Sequence, residues 1–444
     1  MKQSRLVHSS YAFYDRRRKE LVDLVKQQNP TIKNGAIMLL AGFEDGKHTF
    51  RQESSFYYYT GLTEPGLVLV IEFSGKSRLF IPSYITPRSD WLVEQVVATQ
   101  ECAQQLSMSA VEYLGKPQAG YEPTLLATAD QYKNLLEYCK ELCATDGKIC
   151  MPYAHHTRQI LYPVFVMHME RLLPEFKNNL QDIGNAIAIQ RSRKNKFEIE
   201  TLYKAVELTM VAQQAAARVI QPGVQEGVIK AGIEYIFAES QARVAFPSIV
   251  ATGKNSIVLH YHNGNKAIQA NDLVVVDIGA EYNHYCADIT RTYPASGTFT
   301  KRQRDVYEAV LATHEYIATK ARPGVWLKNP DKPEQSLHHM AIAHLEKKGF
   351  AKYFKHGIGH YLGLDVHDVG DYTQPLEEGN VITIEPGIYI PEENIGIRIE
   401  DDYWIVSDGA ECLSADLPRD TDSIQEMARA SMEDEDEDYE EDYE

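Results

Sequence analysis

The stretch LVVVDIGAEYNHYCADITRTYP, residues 273–294, sets a carboxylate inside an apolar strand. Residues 273–276 are Leu-Val-Val-Val, and Asp277 follows where another apolar residue is expected. An ionised carboxylate leaves water at a cost of several kcal/mol unless it is paired or metal-bound. Asp288 lies eleven residues on, again in strand-like sequence. A hairpin with its tip at Tyr282-Asn283 sets Asp277 opposite Asp288. Opposed residues of an antiparallel pair share a face, with Cβ atoms about 4.5–5.5 Å apart. Two carboxylates so close repel unless they share a proton or a cation. A polar turn with a solvated Asp at each end is the plainer alternative. The β-branched and aromatic neighbours, which bury at least one face, weigh against it.

A second hairpin repeats the pattern. Residues 380–390 (NVITIEPGIYI) and 396–406 (GIRIEDDYWIV) are strand-like, and each carries an acid after alternating aliphatics, Glu385 and Glu400. Their midpoint at Glu392-Glu393 makes these two acids face each other as well. Between the hairpins lies HGIGHYLGLDVHD, residues 356–368, with His356, His360 and His367. Its glycines let the backbone approach a ligand closely. Four acids and a histidine together suit two divalent cations. Oxygen-rich ligation with one imidazole favours manganese or cobalt before zinc, which prefers more nitrogen or sulfur.

Outward from the hairpins the chain reads as two similar halves. Residues 191–220 have helical periodicity and end at QPGV (221–224); residues 303–321 are helical and end at RPGV (322–325). A shorter helix and then an acid-bearing hairpin follow each. This is the pattern of a distant internal repeat. A pseudo-two-fold between the halves would bring both hairpins to one centre. Residues 169–181 read as a helical link to the N-terminal part. There, residues 36–41, 67–73 and 78–82 alternate with helical segments, the signature of an α/β domain. The run RQESSFYYYTG (51–61) is read first as core. Trp91 is a candidate for a subunit contact. The acidic run EDEDEDYEEDYE (433–444) cannot bury enough apolar surface to fold and is expected to be disordered.

Bulk properties exclude several functions. The 444 residues carry a net charge of −18, which disfavours nucleic-acid and anionic-membrane binding. Neither a signal h-region nor an apolar run of membrane-spanning length is found, so a cytoplasmic location is expected. The six cysteines are scattered and read as free thiols of a reducing compartment.

The ordered set Asp277, Asp288, His360, Glu385 and Glu400 resembles the metal ligands of the "pita-bread" metallo-aminopeptidases, and most closely those of the Xaa-Pro aminopeptidases (aminopeptidase P). The resemblance extends to His260 in LHY (259–261), to His356 and His367, to Arg398 beside the last ligand, and to the 51–61 segment. It implies an α+β chain: a C-terminal pita-bread (creatinase/aminopeptidase) fold with an internal pseudo-two-fold, preceded by a smaller α/β N-terminal domain. The expected boundaries are 1–175 for the N-terminal domain, 176–420 for the catalytic domain and 421–444 for a disordered acidic tail. The N-terminal domain is expected to support a homo-oligomer, dimer or tetramer, and to narrow the substrate entrance.

The implied activity is hydrolysis of the bond between an N-terminal residue and a following proline, by a hydroxide held between two divalent metal ions. Manganese is expected first, with cobalt or zinc as alternatives. Asp277 would chelate one metal; Asp288 and Glu400 would bridge; His360 and Glu385 would complete the other shell. His367 would donate to the oxyanion, and His260 would sit near the leaving proline side. Glu385 would accept and pass on a proton, and Arg398 would orient Glu400. The partners are peptides with proline at the second position. Two alternatives remain: an Xaa-Pro dipeptidase, and a non-catalytic binding protein of the same fold. Tyr361 after the metal-binding histidine and the GLDVHD wording (363–368) fit aminopeptidase P better. Deletion of the acidic tail would leave a peptidase active and would disable an interaction protein.

Overall fold

Gly35–Leu40 (GAIMLL) is buried along its whole length, as a short continuous apolar run requires of a covered strand. The structure, a computed structural model, describes residues 11–121, 128–153 and 160–437. In it, Gly35–Leu40 pairs antiparallel with Val68–Glu72 and parallel with Lys148–Met151. The full sheet runs Ala110–Tyr113, Ser77–Ile81, Val68–Glu72, Gly35–Leu40, Lys148–Met151, Leu180–Asp182. Leu135 and Cys139 of the helix Lys133–Ala144, with Tyr162, Phe165 and Met169 of Leu161–Leu172, pack on it.

The aromatic run forms the helix Ser54–Thr60, with Phe56, Tyr58 and Tyr59 buried. Glu53 caps it, accepting from the Phe56 amide at 2.6 Å. The run is therefore core in this structure. Trp91 is 53% exposed and stacks on Tyr121 at 5.6 Å.

The chain divides into two compact units, Met1–Gln190 and Arg191–Glu444. The expected boundary at 175 falls inside the first. The expected helical link over 169–181 is corrected. The helix stops at Leu172, Leu173 is extended ahead of Pro174, and Leu180–Asp182 joins the sheet as a strand. Proline disfavours a helical conformation at the preceding residue, and this outweighs the local periodicity.

The second unit repeats one order of elements. A long helix, Lys196–Val219, starts at a capping box on Asn195 and Glu198. Gly223 follows with φ 95°, then the helix Glu226–Glu239 and the strands Ile249–Thr252, Leu273–Ile278 and Ile289–Pro294. The other half runs Lys301–Ala318, capped by Thr300 and Gln303, Gly324 with φ 86°, Leu337–Lys347, then Val381–Ile384 through Asp401–Val406. Both glycines occupy the left-handed region that other residues rarely adopt.

One core joins the halves: Ala212 and Ala216 of the long helix, Val274 and Val276, Val306 and Val310, and Ile388, Ile395 and Ile397.

Thr421–Glu437 is a helix, which corrects the expectation of disorder from 421 onward. Ile424 is buried in the same core with Met427 packed against it, Ala428 is buried too, and Gln425 accepts from the Phe299 amide at 2.9 Å. Four-residue spacing of apolar side chains docks this segment despite the acids that follow. Residues 438–444 lie outside the described residues. No helix among the described residues is long and apolar enough to cross a membrane.

Candidate metal centre

Asn283 and His284, with φ 47° and 70°, form the tip of the first hairpin. Two consecutive left-handed residues are the mark of a two-residue turn that matches strand twist. Tyr282 therefore pairs with Tyr285 and Glu281 with Cys286, and the same register continues through Ile278↔Ile289 to Asp277↔Thr290. The tip sits one residue later than the sequence reading placed it. The register moves by two, which preserves the faces. Asp288 is thus diagonal to Asp277, and Thr290 stands opposite it. In the second hairpin, Ile384↔Asp401 and Gly387↔Arg398 share a single register, which sets Glu385 opposite Glu400 as expected.

The hairpins meet edge to edge. The Glu400 amide donates to the Thr290 carbonyl at 3.1 Å, and the Arg398 amide to Thr292 Oγ1 at 3.1 Å. Asp288, His360 and Glu400 each bring a ligand atom into a buried group within 4.8 Å. Glu385 Oε1 lies 3.8 Å from His360 Nε2. Asp277 is buried and paired with Arg398. His356 Nδ1 lies 3.4 Å from Glu385 Oε2, and the His367 ring is 4.1 Å from that of His360, centroid to centroid. His260 is exposed.

The hydrogen bonds define the imidazoles. His360 Nδ1 faces the Tyr361 carbonyl at 3.1 Å, so Nδ1 carries the proton. The Nε2 lone pair then points at Asp288 Oδ2, 3.4 Å away. A lone pair facing carboxylate oxygens is repulsive unless a cation or a shared proton stands between them. In the same way His356 Nδ1 donates to the Gly357 carbonyl at 2.8 Å, and its Nε2 accepts from the Tyr389 hydroxyl at 2.9 Å. Burial, aided by the Arg398 charge, pushes His356 down to about 3, so it is a neutral imidazole.

The carboxylates are starved of positive charge. Burial, then repulsion from Glu400 and Asp277, holds the Asp288 carboxyl far above its ordinary value. Burial and repulsion from Glu385 and Asp277 do the same to Glu400. Burial raises Glu385 to about 8, against the pull of Arg398. Asp277 Oδ1 and Asp288 Oδ1 are buried with no hydrogen-bond partner. A set of carboxylates with orphaned oxygens and an inward imidazole lone pair fits hard or borderline divalent cations.

Several supporting residues escape a reading of the sequence. Arg398 was expected to orient Glu400. The structure pairs it with Asp277 and leaves Nε 3.8 Å from Glu400. It reaches Glu400 through Thr290, whose hydroxyl accepts from Arg398 Nε at 3.0 Å and donates to Glu400 Oε2 at 2.7 Å. Tyr389 accepts from Arg398 Nη1 at 2.9 Å and so links Arg398 to His356. Asp402 Oδ2 accepts the Asp288 amide at 3.2 Å. For Thr290 the sequence signal is its place two residues from Asp288 on one strand face. For Tyr389 there is none, since an aromatic in a strand reads as core.

Residues 200–407 match the model of metallopeptidase family M24, and residues 14–125 match the aminopeptidase P N-terminal domain. The Xaa-Pro aminopeptidase of Escherichia coli (strain K12) is 31% identical over 94% of this chain and 98% of its own. Human Xaa-Pro aminopeptidase 3 is 30% identical over 93% of this chain and 85% of its own. Human Xaa-Pro dipeptidase is 26% identical, covering 90% of each chain. Among solved structures, aminopeptidase P from E. coli with the inhibitor Pro-Leu superposes with a TM-score of 0.78, at 27% identity, over 96% of this chain and 99% of that one.

Proposed function

The chain belongs to metallopeptidase family M24 and is a metal-dependent aminopeptidase, and from this premise we propose that it removes an N-terminal residue that precedes proline. The observation that carries the reading is the convergence of two in-register hairpins on the His360 lone pair, with orphaned oxygens on Asp277 and Asp288. Asp277, Asp288, His360, Glu385 and Glu400 would hold two divalent ions, manganese before cobalt or zinc. When bound, the ions supply an activated water and polarise the scissile carbonyl.

The protein's own groups do the remainder. Glu385 would take a proton at its carboxylate and return it to the leaving nitrogen. His356, neutral and fixed between the Tyr389 hydroxyl and the Gly357 carbonyl, stands 3.4 Å from Glu385 Oε2 and walls that carboxylate's side of the site. His367, beside His360, donates to the oxyanion. His260 lines the leaving-group side. The guanidinium of Arg398 fixes Asp277 and, through Thr290, Glu400.

Free thiols among the described residues support a reducing, cytoplasmic compartment, and the resemblance supports a homo-oligomer. The second reading, an Xaa-Pro dipeptidase, is kept because a human protein of that name covers 90% of the chain.

Metal-stripped protein with manganese added back, assayed on an Xaa-Pro-Xaa tripeptide beside an Xaa-Pro dipeptide, separates the two. Tripeptide cleavage that manganese restores and Asp288→Ala abolishes is the expected result. Cleavage of the dipeptide alone moves the assignment to dipeptidase. Cleavage of neither, with metal bound, rejects the proline specificity.

A further inference from the structure

A second buried charge cluster lies next to the metal centre and holds none of its ligands. Asp368 follows His367 directly, and its side chain is 1% exposed. Arg191 Nη2 donates to Asp368 Oδ1 at 2.5 Å and to Asp365 Oδ2 at 2.9 Å. Lys194 Nζ, also on a side chain 1% exposed, donates to Asp368 Oδ2 at 3.1 Å. Burying an ammonium, a guanidinium and a carboxylate together is costly, and packing alone needs none of them. The cost secures one loop. The Asp368 amide returns to the Tyr361 carbonyl at 2.9 Å, the Gly363 amide donates to the Asp365 carbonyl at 3.2 Å, and the Gly363 carbonyl accepts from Cys286 N at 2.8 Å. Lys194 is itself tied down, its amide donating to the Gly379 carbonyl at 2.7 Å. A Cβ on Gly363 would overlap Asp368 Oδ2 and the Lys194 side chain, so the loop closes this tightly only around glycine. His367 stands on the outer side of the same loop, exposed, with its ring against His360.

We propose that Arg191, Lys194 and Asp368 are positioning residues that set the place of the His367 ring. The inference rests on the reading of His367 as the oxyanion donor. Asp368 is the inner anchor of the loop and His367 its outer face, one residue apart. With Lys194 gone, Asp368 keeps only Arg191 and the loop gains freedom. A misplacement near 1 Å is enough to cost about 100-fold in rate. The clamp holds none of the metal ligands, and His367 acts on the oxyanion, which forms only in the transition state, so the loss falls on kcat rather than on KM or metal content.

The test is a double-mutant cycle between Lys194→Met and His367→Ala in the manganese-loaded protein. Manganese per chain and melting temperature are measured on every variant. Lys194→Met is expected to lower kcat roughly 10–100-fold, with manganese content unchanged. In the His367→Ala background the same change is expected to cost less than about threefold, because residues acting as a unit are non-additive. Equal losses in both backgrounds, or an unchanged kcat in the otherwise wild-type protein, overturn the positioning role. Should Lys194→Met fail to fold, Asp368→Asn enters the same cycle with the same two criteria. A His367→Ala protein with full kcat overturns the reading of His367, and the role of the clamp with it. Equal losses overturn the clamp alone.

Discussion

Thr290 is uncharged, yet its hydroxyl is the joint between the arginine and one of the acids of the proposed metal centre. It accepts from Arg398 Nε and donates to Glu400 Oε2. Valine keeps its shape and removes both bonds, leaving a buried guanidinium N–H and a buried carboxylate oxygen short of a partner. Groups that orient metal ligands in this way are worth about 10–100-fold in affinity or activity. Thr290→Val is therefore expected to lower manganese affinity, or kcat, by about that factor, and Thr290→Ser to recover most of it. Calorimetric titration of stripped protein and steady-state kinetics check this. Wild-type affinity and turnover in the valine variant would remove the hydroxyl from the account. The residue was only half legible. Asp288 and Thr290 share a strand face in any register, but threonine is an ordinary strand former, and nothing local distinguishes a hydroxyl that bridges charges from one that packs.

At the level of elements, the two hairpins show why pairs are more readable than tips. Side chains alternate with period two, so an acid in an apolar strand commits the face whatever the turn does. The turn sets which residues stand opposite. Asn283-His284 lacks the glycine that marks such turns, and the expected tip fell one residue early. What joins the hairpins was not legible at all. Arg291, fully buried, donates to the Thr290, Glu400, Leu417 and Pro418 carbonyls and to Asp401 Oδ1. Arg291→Met removes the donor to four carbonyls and one of the two guanidinium partners of Asp401, which keeps Arg419 at 3.0 Å, and is expected to destabilise by about 3 kcal/mol. Urea denaturation measures it; a loss below about 1 kcal/mol would place the stitching elsewhere.

The His260 loop has its own anchor. Glu226, buried at the start of its helix, accepts from the Thr252 and Lys266 amides, Asn255 Nδ2 and the Tyr261 hydroxyl. Glu226→Gln turns one acceptor into a donor facing donors. It is expected to cost about 1.5–3 kcal/mol and to raise KM for the tripeptide, since His260 is next to Tyr261. A KM equal to wild type would separate the loop from substrate.

For the whole molecule, the repeat of helix, Pro-Gly turn, helix and hairpin was legible because its punctuation is local, and both glycines take the left-handed conformation it demands. The C-terminal segment misled, because composition averages over acids while docking depends on a few side chains, Ile424, Gln425 and Met427 among them. The convergence of the acids has a consequence for the stability of the whole chain. In metal-free protein, burial and mutual repulsion raise Asp288, Glu400 and Glu385 above their unfolded values, Glu385 to about 8. The folded state then binds more protons than the unfolded one above pH ~4, so stability falls as pH rises through that window toward 8. Divalent ions reverse the sign, because they take the place of those protons and bind only the deprotonated ligands. At a thousandfold excess over Kd, such a ligand adds about 4 kcal/mol to the folded state. Scanning calorimetry of stripped and manganese-loaded protein at pH 5, 6.5 and 8 is expected to show a gap in Tm that widens with pH, the stripped protein melting progressively lower. A stripped protein whose Tm is flat or rises over this range would mean that the acids are compensated within the chain, and that the cation is not what their convergence requires.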